Sequence, residues 1–374
     1  MSDLDPLYRR IDALLEHRAR DFPRRVEPAF SDLLGALREL AAALRARAGE
    51  PAPQAPPDEL VSTPVFIVGY FRSGTSLLQS LLAGHPDIAV LPGEANWFTG
   101  ERTRRFDDVH AQWIRRLVSP DGLPPFWTLG RPWEGGDDGY ERFTRSLLSF
   151  AARRPHGHDL LGDIAAAYAA CRSGAPRLWA EKTPGNELHV REIVAAYPNA
   201  RFLHTVRDPR ATVASIIAFN RARRTFPGMP VAAAELARSL TAARTNAAEH
   251  GADRYLVVRY EELVAGPERE TRRIADFLGV EWNETLTAPS LTANSSTADR
   301  RTRGTIHQLS AGRGSDLGRL SDGLVRAFAS EPARALGYDV PQGSAAVALA
   351  AHAYLSVTTR ARSLGRALRP SRST

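Results

Sequence analysis

The stretch VFIVGYFRSGTSLLQ, residues 65–79, carries the clearest indication of the fold class of this chain. It has the pattern of a buried strand, a turn of small residues and the start of a helix. Its centre, Gly69-x4-Gly74-Thr75-Ser76, differs at one position from the phosphate-binding pattern G-x-x-x-x-G-K-[ST], because Thr75 stands in place of the lysine. Since backbone N–H groups at a helix N-terminus bind anions, the stretch predicts an anion-binding loop.

Short apolar segments alternate with helical patterns from this stretch onward. The apolar segments predict strands at Val65–Val68, Ile88–Leu91, Arg177–Ala180, Arg201–Val206 and Tyr255–Val258. Helices are predicted at Ser76–Ala83, Glu187–Ala196, Arg210–Ala222 and Glu268–Leu278. Alternation of this kind is typical of an α/β fold, here a P-loop-like three-layer fold whose central parallel sheet is flanked by helices. Ligands bind at the carboxyl ends of the strands in such folds, so polar residues there are the candidate site.

Other segments surround this domain, which we predict at 62–340 of the 374 residues. Apolar residues at three-to-four spacing predict an N-terminal helical hairpin over 1–50, a packing element or a homodimer interface. Residues 51–61 form a proline-rich linker, and 341–374 form a short helix with a basic tail. The segment 119–140, rich in Pro, Gly and aromatic residues, is either a lid over an acceptor pocket or an ordinary surface excursion.

The composition bears on the class of partner and on the compartment. A net charge of +7 suits an anionic ligand, a membrane surface or nucleic acid. No zinc-finger spacing or RNA-binding aromatic motif supports nucleic acid, so we expect none as a partner. The single cysteine, Cys171, gives neither an internal disulfide nor a metal cluster. No apolar run reaches membrane-spanning length and the N-terminus has no signal-peptide pattern, so we expect a cytoplasmic protein without a transmembrane segment.

Polar residues follow three of the predicted strands. Glu94, after the second strand, is a candidate general base, or else an exposed carboxylate or N-cap. Lys182, after the third, is the only lysine beside 48 arginines, which suggests a position where a wide guanidinium does not serve; the alternative is an ion pair with Glu181. Arg207 and Ser215, after the fourth, are candidate ligands of a second anionic group, or else a surface salt bridge and an ordinary helix serine.

These motifs together resemble the sulfotransferases that use 3′-phosphoadenosine 5′-phosphosulfate (PAPS). FRSGTSLL, residues 71–78, resembles the family's 5′-phosphosulfate loop, in the arginine form of tyrosylprotein and many bacterial sulfotransferases. VRDPR, residues 206–210, with Ser215 resembles the 3′-phosphate motif, and EKTP at 181–184 and VRYEEL at 258–263 resemble further signatures. The resemblance covers roughly residues 61–338.

The resemblance implies a set of donor-binding residues. The loop grips the 5′-phosphosulfate, Arg207 and Ser215 grip the 3′-phosphate, and Tyr260 lines the adenine side. The loop residues concerned are Arg72, Ser73, Gly74, Thr75 and Ser76. The family's late serine and basic residue fall somewhere within 294–304.

The resemblance also implies the catalytic roles. Glu94 takes the acceptor proton, while Lys182 and Arg72 stabilise the transferring sulfuryl group. Tyrosylprotein sulfotransferases carry G-E-E where this chain has Gly93, Glu94 and Ala95, so one acid is available here and an acidic peptide acceptor is less well supported. The acceptor class stays open among small molecules, carbohydrates, lipids and peptides, with a hydroxyl favoured over an amine. No metal is expected, because a sulfuryl group carries less charge than a γ-phosphate.

Two other functions stay open. A P-loop kinase or NTPase needs a loop lysine and a metal-binding aspartate; Asp208 is the nearest candidate, but it and Pro209 suit the N-cap and first residue of a helix. A non-catalytic nucleotide-binding protein with a decayed site is the other alternative.

Overall fold

The computed structural model describes a core of the chain: residues 62–91, 94–99, 160–170, 176–223, 229–289 and 317–351, with the single residues 6, 10, 39, 43, 60, 146, 353, 354 and 356. The side chains of 220–223 are outside this description. Most of the predicted hairpin and linker, the 119–140 segment, residues 294–304 and the basic tail also lie outside the described residues. The hairpin therefore stays a prediction, although helical Arg10 and Glu39 form an ion pair of 2.5 Å.

Five strands form the sheet, and all five were predicted from the sequence. They are β1 Pro64–Val68, β2 Ile88–Val90, β3 Leu178–Lys182, β4 Arg201–Val206 and β5 Tyr255–Arg259. The sheet order is β2-β3-β1-β4-β5. β1 and β2 each pair in parallel with β3, and the register sets Ile67 beside Lys182 and Val90 beside Ala180. The predicted α/β fold with a central parallel sheet is thus confirmed.

Eight helices with defined bounds accompany the strands within the described ranges. They are α1 Thr75–Leu82, α2 Leu160–Ala170, α3 Val190–Ala196, α4 Pro209–Arg223, α5 Met229–His250, α6 Tyr260–Ala265, α7 Pro267–Leu278 and α8 Arg319–Arg334. Short 3-10 turns cover Asn186–Leu188 and Glu284–Thr287. The prediction at Glu187–Ala196 merged one such turn with α3. Residues 345–351 are also helical, in the region where a short apolar helix was expected.

The chain divides into two compact units. The first unit comprises Met1–Val68, Ser76–Leu203 and Thr271–Ile306, and the second comprises Gly69–Thr75, His204–Glu270 and His307–Thr374. Each unit holds one group of the predicted site residues. Glu94 and Lys182 belong to the first unit, whereas Arg72 and Arg207 belong to the second.

The core of the first unit is built around Phe66 of β1. Its ring lies 5.8–6.0 Å from the rings of four other aromatic residues: Phe98, Trp179, Tyr197 and Phe202. Phe66 and Trp179 are fully buried. Burial of such large side chains stabilises the fold by roughly 1.5–3 kcal/mol each, so these rings contribute strongly to the packing of β1 and β3.

The core of the second unit is formed by α4, α5 and α8 with the end of β4. Val206, Val213, Leu236 and Val325 are among its buried members. Asp322 of α8 adds a polar connection, since it pairs with Arg210 at 2.8 Å.

No helix in the described part of the chain is long and apolar enough to span a membrane.

Candidate active site

The loop between β1 and α1 needs glycine at two positions. Gly69 and Gly74 have φ values of +134° and +111°, which L residues rarely adopt. A Cβ atom at Gly69 would lie 2.4 Å from the carbonyl oxygen of Thr205, and one at Gly74 would lie 2.5 Å from Cδ2 of Tyr260. The loop backbone therefore passes too close to its neighbours for any side chain at these two residues.

The serine and threonine of the loop are buried. Ser73 is 2% exposed and its hydroxyl forms a 2.9 Å hydrogen bond with the hydroxyl of Thr205, at the end of β4. Its N–H donates to the carbonyl of Tyr70 at 3.0 Å, which closes a tight turn. Thr75 is the first residue of α1, so the amides that begin this helix follow the turn directly. This is the strand, turn and helix start that the sequence predicted.

Arg72 adopts an unusual backbone conformation within the loop. Its φ is +75°, a left-handed value that costs a non-glycine residue roughly 1–3 kcal/mol. Its guanidinium lies 5.7 Å and 5.2 Å from the ring centroids of Phe71 and Phe219, and its Nε donates to the Ser215 hydroxyl at 3.1 Å. The structure thus brings together Arg72 and Ser215, two residues that the resemblance assigns to different phosphate groups of the donor.

Arg207 is a buried charge, 4% exposed, directly after β4. Its guanidinium lies 4.5 Å from the ring centroid of Tyr260, and its Nη1 donates to the carbonyl of Arg72 at 3.4 Å. Tyr260 is 7% exposed, and its ring also packs against Gly74, where it leaves no room for a Cβ atom. The surface salt bridge considered from the sequence is wrong for Arg207, because the residue is buried.

Asp208 begins α4 in the manner that the sequence predicted. Its carboxylate accepts from the N–H of Ala211 at 2.8 Å, and Pro209 is the first helical residue. The Asp208 N–H donates to Glu261 at 2.9 Å. The aspartate is therefore used as a cap, and a metal-binding role has no support. Among the described residues, no three His, Cys, Asp or Glu side chains are grouped to hold a metal ion.

In the first unit, Lys182 and Glu94 form an ion pair. Lys182 Nζ lies 2.5 Å from Glu94 Oε1; the lysine side chain is 6% exposed and that of the glutamate is 42% exposed. Glu181, which the sequence suggested as the alternative partner of Lys182, instead accepts hydrogen bonds from other donors. The pair places a carboxylate that can take a proton beside an ammonium that can stabilise negative charge.

Glu181 is a site residue whose part the sequence did not reveal. It is 1% exposed, and it accepts hydrogen bonds from the Ala95 N–H and Asn186 Nδ2, both at 3.0 Å, and from the Thr183 hydroxyl. Burial raises the pKa of its carboxyl to about 7, although the bonds from Thr183 and Ala95 and the Lys182 charge act in the opposite direction. The sequence indicated Glu181 only through its place in the EKTP string, residues 181–184, and suggested for it only an ion pair with Lys182.

The comparisons with known proteins agree on one family. A family model described as "Sulfotransferase family" matches residues 64–284, more than half of the chain. The protein-tyrosine sulfotransferase of Drosophila melanogaster is 28% identical over 230 residues, which cover 59% of this chain and 39% of that protein. Protein-tyrosine sulfotransferase A of Caenorhabditis elegans is 30% identical over 232 residues, covering 59% and 50%. The matched part of the chain thus spans half or less of the length of these relatives.

A solved structure supports the fold. The sulfotransferase domain from the curacin biosynthetic pathway superposes with a TM-score of 0.50 over 74% of this chain and 98% of that chain. The two sequences are 18% identical over the match, so the likeness bears on the fold alone. It agrees with the α/β architecture described above.

Proposed function

Because the chain belongs to the sulfotransferase family, as the match over residues 64–284 shows, we propose that it moves a sulfuryl group from PAPS to an acceptor hydroxyl. One observation carries the proposal. The loop Gly69–Thr75 lies in one compact unit with buried Arg207 and Ser215, and Arg72 of that loop bonds to Ser215. Buried cationic and hydroxyl groups around a helix start fit an anionic nucleotide.

The donor-binding groups in this proposal are the loop between β1 and α1 and the residues that follow β4. The amides of the loop and of the first turn of α1, with the hydroxyls of Ser73, Thr75 and Ser76, bind the 5′-phosphosulfate. Arg207 and Ser215 bind the 3′-phosphate, and Arg72 adds positive charge close to Ser215. The ring of Tyr260 packs against the guanidinium of Arg207 and helps to position it. No metal ion is part of this proposal.

Glu94 and Lys182 carry the acid–base chemistry in this proposal. Glu94 takes the proton of the acceptor hydroxyl, a role worth about 10²–10⁴-fold in rate. The acceptor oxygen forms a bond to sulfur while the bond from sulfur to the phosphate oxygen breaks, and adenosine 3′,5′-bisphosphate leaves. Lys182 and Arg72 stabilise the negative charge on the transferring group and on the departing oxygen. Positioning and charge stabilisation supply most of the catalysis, as in phosphoryl transfer.

The acceptor is proposed only as a class. The relatives named above are protein-tyrosine sulfotransferases, so a phenolic hydroxyl heads the list of acceptors to test. The single acid at Glu94, with Ala95 after it, gives less support to an acidic peptide than a pair of acids would. Carbohydrate, lipid and small-molecule hydroxyls therefore belong in the same test. A homodimer through the N-terminal helices and a cytoplasmic location also remain proposals.

The donor is tested by thermal unfolding with added nucleotide. Adenosine 3′,5′-bisphosphate at 100 times its Kd should stabilise the protein by about 2.7 kcal/mol, whereas ATP with Mg²⁺ should have little effect. Arg207→Met should abolish the shift. Arg177→Met is the control, because Arg177 lies outside the VRDPR motif, is 54% exposed and pairs with Asp87, so the shift should stay intact. A shift with ATP and Mg²⁺ alone would favour a kinase or NTPase and overturn the proposal.

The transfer is tested with PAPS labelled in its sulfuryl group. The acceptor panel holds a tyrosine peptide, simple phenols, sugars and lipid headgroup alcohols, and labelled product is followed by chromatography. We expect label on at least one hydroxyl acceptor, and transfer about 10²–10⁴-fold slower with Glu94→Gln. Binding of the bisphosphate without transfer to any acceptor would point instead to a non-catalytic nucleotide-binding protein.

A further inference from the structure

Two buried side chains at the end of β3 hold the backbone that follows Glu94. Glu181 accepts from the N–H of Ala95 at 3.0 Å, and the hydroxyl of Thr183 accepts from the N–H of Asn96 at 3.0 Å. The Thr183 hydroxyl also donates to Glu181, so the two side chains act together. They are 1% and 0% exposed. Consecutive amides immediately after Glu94 are thus held by residues 181–183, at the end of β3 and directly after it.

The side chain of Glu94 is held from the same short segment. Lys182, which lies between Glu181 and Thr183 in sequence, reaches Glu94 with its Nζ at 2.5 Å. Asn96 adds a local bond from its Nδ2 to the Glu94 carbonyl at 3.2 Å, and its φ of +52° is a left-handed value. The backbone and the carboxylate of Glu94 therefore depend on residues 181–183 for their position.

We propose that Glu181 and Thr183, together called the clamp, are positioning residues that hold Glu94 against Lys182 for proton transfer. This inference rests on the proposed function, because it assumes that Glu94 is the base. The clamp itself touches neither donor nor acceptor in this proposal.

The chemistry of the clamp explains why an acid is buried here. Three donors converge on the Glu181 carboxylate: the Ala95 amide, the Thr183 hydroxyl and Asn186 Nδ2. The ionised carboxylate, which predominates above its pKa of about 7, accepts at both oxygens, whereas a glutamine replaces one oxygen with an NH₂ group that would face a donor. Glu181→Gln therefore keeps the volume of the side chain and breaks part of the clamp.

The kinetic test compares Glu181→Gln with a matched control. We expect kcat for PAPS turnover to fall about 10²-fold, the loss that a misplaced catalytic group can cause, with the Kd for adenosine 3′,5′-bisphosphate unchanged. The control is Glu187→Gln: Glu187 is likewise a buried glutamate, 2% exposed, and its carboxylate accepts from the Gly185 N–H at 2.8 Å. It should keep the wild-type kcat. An equal loss in both variants, or none in Glu181→Gln, overturns the inference.

The second test uses Thr183 and serves if Glu181→Gln does not fold. Thr183→Val removes the hydroxyl and should lower kcat, and Thr183→Ser restores the hydroxyl and should recover it. Amide hydrogen exchange supplies a readout without activity: Ala95 and Asn96 should exchange about tenfold faster in Glu181→Gln and Thr183→Val, and at the wild-type rate in Thr183→Ser and Glu187→Gln. Unchanged exchange at these amides overturns the clamp. A different outcome is that the wild-type protein shows no PAPS turnover, but Ala95 and Asn96 still exchange faster in Glu181→Gln and Thr183→Val. That outcome would overturn the proposed function and leave the clamp standing.

Discussion

Lys182 Nζ lies 2.5 Å from Glu94 Oε1, so the only lysine of the chain is paired with the proposed catalytic base. The two partners differ in exposure: the lysine side chain is 6% exposed and the glutamate side chain is 42% exposed. The lysine charge therefore depends on Glu94 for much of its stabilisation, whereas Glu94 keeps an open side for an acceptor. This asymmetry leads to separate predictions for the two residues.

Replacing Lys182 with arginine should impair catalysis although the charge is kept. The wide planar guanidinium does not fit a nearly closed position where a compact ammonium meets one carboxylate oxygen. We expect Lys182→Arg and Lys182→Met to lower kcat by about 10²-fold or more, with unchanged affinity for adenosine 3′,5′-bisphosphate. Arg177→Lys is the control: Arg177 is 54% exposed and bonds to Asp87, so this swap should be silent. Normal activity in Lys182→Arg would contradict the role of the lone lysine.

Replacing Glu94 with glutamine should separate chemistry from binding. Glutamine keeps the shape of the side chain but cannot take a proton, so kcat should fall by about 10²–10⁴-fold while the Kd of the bisphosphate stays the same. Steady-state kinetics with PAPS and calorimetric titration provide the two measurements. Glu192→Gln, at a side chain that is 54% exposed, is the control and should keep full activity. A Glu94→Gln variant with wild-type kcat would mean that another residue is the base.

The strands and the loop were predictable because their signals are local. An apolar run followed by Gly69 and Gly74 defines β1 and its turn within a dozen residues, and β4 agrees with the prediction at both ends. Helix α5 was missed because its buried face is built largely from small residues such as Ala232, Ala233 and Ala243, which weaken the apolar period. The clamp was missed for another reason: it joins residues 86 positions apart, and no local pattern records that contact.

Substituting Gly74 with alanine should destabilise the protein more than its backbone conformation alone requires. The new Cβ would lie 2.5 Å from the ring of Tyr260, in addition to the strain of a φ of +111°. We expect a loss of about 3 kcal/mol or more in urea unfolding. Gly251→Ala is a reference for a positive φ in open space, because φ is +76° there and nothing lies within 4 Å; it should cost about 1 kcal/mol. Equal losses in the two variants would show that the contact with Tyr260 is unimportant.

The stability of the protein should depend on pH through Glu181. Its pKa is raised from 4.5 to about 7 by burial, so between these values the folded state binds more protons at this group than the unfolded state. The stabilising contribution of Glu181 to the free energy of unfolding is therefore fully present below about pH 4.5, and it is lost as the pH rises through about 7. Since one unit of pKa corresponds to about 1.4 kcal/mol, the wild type should lose roughly 3 kcal/mol relative to Glu181→Gln between pH 4.5 and 8. Urea unfolding across this range measures the difference, and a constant difference would contradict the assignment.

Tyr260 should support donor binding by positioning Arg207, and not by contacting the adenine ring of the donor. The guanidinium of Arg207 lies 4.5 Å from the centroid of the Tyr260 ring, and the same ring also packs against Gly74. Both contacts of the ring are therefore with protein groups. Tyr260→Phe keeps the ring and should leave the Kd of adenosine 3′,5′-bisphosphate nearly unchanged, whereas Tyr260→Leu should weaken binding about tenfold.

A second ligand distinguishes this role from the adenine contact that the resemblance implies. Adenosine 5′-phosphate has the adenine but not the 3′-phosphate that Arg207 is proposed to bind. The tenfold effect of Tyr260→Leu should therefore disappear when binding of adenosine 5′-phosphate is titrated by calorimetry. If Tyr260→Leu weakens both ligands equally, the ring acts on the part that they share, and Tyr260 belongs to the adenine pocket after all.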